Sequence, residues 1–144
     1  MKISNDYSNS HSTNFKALQS IKWTGLYKKK PEYVKNLYDG LKKNETVMKF
    51  FEKYDTDVVF NAEKAGFSDL MESTLKIYYQ DPKVNKFKNF LRKIFIGRPN
   101  IEINSFGYRC SLAESSQKLL ESIVPGKKGK SILADEIKLI DKSI

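Results

Sequence analysis

Asp57-Val58-Val59-Phe60-Asn61-Ala62-Glu63 and Thr74-Leu75-Lys76-Ile77-Tyr78-Tyr79 both alternate apolar and polar residues with a period of two. That period belongs to strands with one face on a core and the other toward solvent. In the first stretch Val58, Phe60 and Ala62 share a face; in the second, Leu75, Ile77 and Tyr79 oppose Thr74, Lys76 and Tyr78. The residues between them, with Gly66, Asp69 and Glu72, exceed a tight hairpin turn, so the strands are expected to pair directly or through a neighbour.

On either side the period changes to that of helices. Pro31 suits a first helical turn, and Val34, Leu37, Tyr38 and Leu41 follow at helical spacing. Asn44 can cap a second helix carrying Val47, Phe50, Phe51 and Tyr54, which makes a helical hairpin. Downstream, Asp81-Pro82 opens a helix with Val84, Phe87, Phe90, Leu91, Ile94 and Phe95 on one arc, stopped by Gly97 and Pro99. Residues 100–112 alternate again around Phe106-Gly107, which reads as one strand with a bulge or two strands joined by a turn. Ser111 and Glu114 have capping-box spacing before Leu119, Leu120 and Ile123. Residues 15–27 fit neither period well, although Ile21 and Trp23 alternate. The pattern predicts an α+β fold, a small mainly antiparallel sheet of three or four strands packed against four to five short helices. Residues 1–14 read as a disordered lead, 15–126 as a single domain, and 127–144 as a basic linker with a C-terminal amphipathic helix.

A chain of 144 residues with 40% hydrophobic residues can bury a core without disulfides or metal. No stretch is apolar enough for a membrane span, and the start lacks the apolar segment of a secretory signal, so the expected location is the cytoplasm. One cysteine, Cys110, and one histidine, His11, exclude an internal disulfide and the usual cysteine/histidine zinc sites. No cofactor is expected. Gly126-Lys127-Lys128-Gly129-Lys130-Ser131 ends like a phosphate-binding loop, but Val124 stands where that motif needs glycine, and a helical pattern precedes it in place of a strand.

Charge is the strongest functional signal. The chain has 26 Lys and Arg against 17 Asp and Glu, a net +9. Residues 55–75 are acidic, whereas residues 76–100 carry seven basic residues against Asp81 alone. Such a field attracts polyanions. Lys83, Lys86, Lys88, Arg92, Lys93 and Arg98 lie on or beside the polar arc of the 82–96 helix, with Lys76 and Tyr78 on the less apolar strand face. These eight residues are the candidate nucleic-acid contacts, the basic ones for phosphates and the tyrosine for stacking. The leading expectation is a non-enzymatic binder of RNA or DNA. A second is a protein-interaction module, inhibitor or adaptor, directed at an acidic or grooved partner. Its anchors would be Leu133, Ile137, Ile140 and Ile144, a stripe that also suits a homodimer or packing on the chain's own sheet.

Acid–base or nucleophilic catalysis built on histidine has no support from a lone His11. A histidine-free alternative is RNA cleavage by lysine, arginine and tyrosine. A basic domain with a helical hairpin, later strands and Tyr108-Arg109 resembles the bacterial ribosome-dependent mRNA interferase toxins over roughly residues 31–112, with the helix at 82–96 departing from that pattern. The resemblance implies attack through phosphate and the ribose 2′-hydroxyl; no catalytic residue is carried across. On pattern alone, Tyr108 and Arg109 are one core-facing and one solvent-facing residue of a strand.

Overall fold

The structure is a computed structural model that describes residues 18–65, 69–80, 98–124 and 131–143. Strands β1 (Leu18–Gly25), β2 (Thr56–Lys64), β3 (Leu70–Tyr79) and β4 (Asn100–Tyr108) form one sheet in sequence order. The β2–β3 and β3–β4 pairs are antiparallel and the β1–β2 pair is parallel. A parallel pair cannot be joined by a tight turn. Here the crossover is a short 3₁₀ turn, Leu26–Lys28, followed by helices α1 (Pro31–Lys42) and α2 (Glu45–Lys53). Helices α3 (Leu112–Ile123) and α4 (Ile132–Ser143) follow β4. The result is an α+β fold with a mixed sheet.

The strand register stacks the core in rows. Ile21, Val58, Ile77 and Ile101 are aligned across all four strands, and Trp23, Phe60, Leu75 and Ile103 form the next row. These residues, with Val34, Leu37, Leu41, Val47, Phe51, Leu119 and Ile123 from the helices, make one hydrophobic cluster. The expected pairing of 57–63 with 74–79 is direct and antiparallel. Within the ambiguous 15–27 segment, Leu18–Gly25 is a strand running into a turn that buries Tyr27 completely. Gly25 makes that turn possible: its φ is +64°, and a Cβ there would run into the Ala62 carbonyl oxygen.

Polar side chains hold the helices in register. The Ser111–Glu114 capping box is present, and Asn44 caps α2 by accepting from the Val47 N–H. Asn44 also donates to the Ile123 carbonyl (2.8 Å) and to Ser131 Oγ (3.0 Å), and Ser131 Oγ in turn accepts from the Ala134 N–H at the start of α4. One buried amide therefore ties the ends of three helices together. Beneath α3, Tyr27 donates to Ser73 Oγ (3.1 Å) and lies 2.9 Å from Ser116 Oγ. Ser115 donates to Ser73 (2.6 Å) and Ser105 to the Ser115 carbonyl (2.9 Å). Small hydroxyl side chains on the Ala62–Ser73–Ser105 row let α3 approach closely while satisfying every polar group named.

The C-terminal helix is part of the same core. Leu133 and Ile137, two of the four residues proposed as partner anchors, are buried there, and Ile140 packs against it. Those side chains are taken up within the chain; Ile144 lies outside the described residues. The helix is also held by Asp141, whose Oδ1 accepts from Lys53 Nζ (2.9 Å) and from the Tyr54 hydroxyl (2.8 Å).

Candidate nucleic-acid interface

Among the described residues the four helices pack on one face of the sheet, and the opposite face carries the out-pointing half of each strand. Its rows follow from the register. From one end they are Asp57, Tyr78 and Asn100; then Lys22, Val59, Lys76 and Glu102; then Thr24, Asn61, Thr74 and Asn104; then Glu63, Glu72 and Phe106; and finally Leu70 and Tyr108. The third row is knitted by side chains, with Thr24 donating to Asn61 Oδ1 (2.7 Å) and Thr74 to Asn104 Oδ1 (2.9 Å). Around Asn61, Glu72, Thr74, Lys76 and Tyr78 the surface forms a shallow depression of about 230 Å³.

Two large aromatic side chains stand on this face without cover. Phe106 is 53% and Tyr108 66% exposed. They are two residues apart on one straight strand, hence about 7 Å apart along it. The break expected at Gly107 is absent: pairing with β3 runs without interruption from Asn100 to Tyr108. Gly107 points to the helix side, where a Cβ would strike the Cys110 sulfur, so its role is close packing at the start of α3. Tyr108 and Arg109 are both exposed, in place of the alternation expected of a strand, because the strand ends at Tyr108. Arg109 has a left-handed backbone, φ 53°. Its guanidinium lies 5.2 Å from the Tyr108 ring centre and 3.5 Å from Asp69 Oδ2.

Of the residues singled out from the sequence, Lys76 and Tyr78 do share the open face, both half-buried. Lys76 Nζ lies 4.0 Å from Glu102 Oε1, a long contact that solvent reaches from both side chains, so this pairing constrains the ammonium little. Arg98 is different. Its guanidinium is ion-paired with Asp57 and its side chain is only 8% exposed, so it is committed to the fold at the entry to β4. Lys83, Lys86, Lys88, Arg92 and Lys93 lie outside the described residues. Phe106, Tyr108 and Glu72 also stand on this face and were not among the eight candidate contacts singled out from the sequence. The signal was present: carrying the phase of Ile101 and Ile103 through Gly107 places Phe106 and Tyr108 on the polar side.

Among the described residues no group of three or more His, Cys, Asp or Glu side chains is arranged to hold a metal ion. No helix among them is long and apolar enough to cross a membrane. The chain matches no family model, no curated protein and no solved structure.

Proposed function

We propose that this protein binds single-stranded nucleic acid on its open sheet face. The observation that carries the reading is the exposed pair Phe106 and Tyr108, two residues apart on the face that no described helix covers. Large aromatics left in solvent lose the burial that stabilises a core, so their placement calls for a partner with flat apolar surfaces. Unpaired bases are such a partner, and sheets that bind RNA stack successive bases on aromatics placed in this way. Duplex bases are already stacked and offer no such face. Tyr78 extends the aromatic set toward the far end of the sheet, roughly 20 Å from Phe106 at strand rise. The backbone phosphates are assigned to Lys22 and Arg109, exposed cations on or beside the face, and to the basic residues of 83–93, which lie outside the described residues.

The test is a titration of labelled single-stranded RNA, single-stranded DNA and duplex DNA with the full chain at two salt concentrations, followed by inspection of the RNA. Single strands are expected to bind with a steep salt dependence. Phe106→Ala and Tyr108→Ala should each weaken binding roughly 5- to 100-fold, the range for losing one stacked base. Both residues are exposed, so the variants should keep the wild-type melting temperature. Undiminished binding by the folded double variant overturns the reading. Should Arg92→Glu with Lys93→Glu abolish binding while the aromatic variants do not, the interface belongs to the basic segment and not to the sheet. Cleavage of the RNA that disappears on changing Tyr108 or Arg109 would replace a binding role with a nuclease.

A further inference from the structure

The open face of a strongly basic protein carries Glu63, Glu72 and Glu102, an arrangement that simple phosphate attraction does not explain. We infer that Glu72 is a base-selecting residue that favours guanine at the position stacked on Phe106; the inference rests on the single-strand reading above. Glu72 and Phe106 are directly opposed across the antiparallel β3–β4 pair. Their Cβ atoms are therefore about 5 Å apart on one face, within reach of each other's ligands.

Among the described residues the sheet ends at β4, so there β3 alone flanks Phe106 within its plane, and at that level β3 presents Glu72. A base lying flat on the Phe106 ring extends beyond it on the β3 side and brings its edge to this carboxylate. Glu72 Oε1 lies 3.2 Å from the Thr74 hydroxyl, whose one proton is shared with the nearer Asn104 Oδ1 (2.9 Å), so the carboxylate stands on the open face without being fully committed to a partner there. An ionised carboxylate accepts hydrogen bonds and donates none. It therefore selects by the donors on the base edge. Guanine offers two neighbouring donors, N1–H and the N2 amino group, that match the two carboxylate oxygens. Cytosine and adenine offer one amino group each, and uracil has a single ring N–H beside carbonyl oxygens that the carboxylate repels. Removing phosphate attraction at the centre of the face and substituting an acceptor turns a non-selective stacking surface into a selective one.

The experiment uses the full chain with labelled RNA hexamers of alternating uracil and guanine, alternating uracil and adenine, and uracil alone. Wild type should bind the guanine hexamer about tenfold more tightly than the uracil hexamer, the discrimination of one good bidentate contact. Glu72→Gln should weaken guanine binding until the two hexamers are equivalent, because an amide presents one acceptor and one donor group to the same edge. Phe106→Ala should weaken all three hexamers together. If Glu72→Gln keeps the guanine preference, or strengthens all three hexamers equally, Glu72 acts only as a charge that repels phosphate and the selection role is wrong. Binding without base preference in wild type also sinks the inference while leaving stacking intact. No binding of any hexamer removes the single-strand reading itself.

Discussion

Replacing Asn44 tests whether one buried amide joins three helices or merely caps one. The side chain is 2% exposed, so its hydrogen bonds are not readily replaced by water. In Asn44→Ala the cap on the Val47 N–H is lost, at a cost of about 1 kcal/mol. The buried Ile123 carbonyl also loses its 2.8 Å donor, at a cost of about 1–3 kcal/mol. Together these predict a loss of about 2–4 kcal/mol, which in a chain of this size lowers the melting temperature by roughly 5–15 °C. Asn44→Asp separates the two roles. Its carboxylate remains a good cap beside the α2 amino terminus, yet it sets an oxygen against the Ile123 carbonyl with no proton between them. Only the protonated acid can donate there, so if the clamp on Ile123 outweighs the cap on Val47, which favours the ionised form, folding raises the pKa of this carboxyl above its unfolded value. The aspartate variant should therefore approach wild-type stability at acid pH and fall away as pH rises past the ordinary carboxylate range. Chemical denaturation of both variants at pH 4 and pH 7 is the assay. If Asn44→Asp matches wild type at pH 7, Asn44 is a cap only, and the argument that it clamps α3 and α4 is refuted.

Burial pushes the Tyr27 hydroxyl above 10.0, opposed by its hydrogen bonds with Ser116 and Ser73. Its contribution is present below the unfolded value and is lost as pH rises through the higher folded one; Tyr27→Phe should be less stable than wild type at pH 7 but lose less on titration to alkaline pH, and parallel curves would count against the network. At the other end of the scale, the Lys53 ammonium first and the Tyr54 hydroxyl second hold the Asp141 carboxyl below 3.8. Asp141→Asn should therefore unfold at lower denaturant than wild type at pH 7, with the gap closing as pH falls through the lowered folded value; a gap that persists in acid means the contact with α2 does not depend on the charge.

Local chemistry was legible wherever a residue acts on its near neighbours. Asn44 and the Ser111–Glu114 pair mark helix starts because they satisfy an orphaned backbone N–H within a few residues, and Pro31 because it brings no N–H to the first turn. The alternation in 57–63 and 74–79 predicted strands because a half-buried sheet must sort its side chains every second residue. From such elements the sequence by itself determined an α+β chain with a helical hairpin, a polar sheet face bearing Lys76 and Tyr78, and a basic balance. Only the tertiary structure decided which faces meet. The parallel β1–β2 pair depends on a crossover whose return point no local pattern specifies, and the burial of Leu133 and Ile137 depends on α4 docking against α2, α3 and β4. Arg98 illustrates the same limit. In sequence it is one more cation beside a basic helix, yet Asp57, forty-one residues earlier, takes it out of the solvent-facing set. Phe106 and Tyr108 are surface residues because β4 runs unbroken through Gly107, whose missing Cβ leaves room for Cys110 on the inner side. The phase of the strand then carries both rings outward.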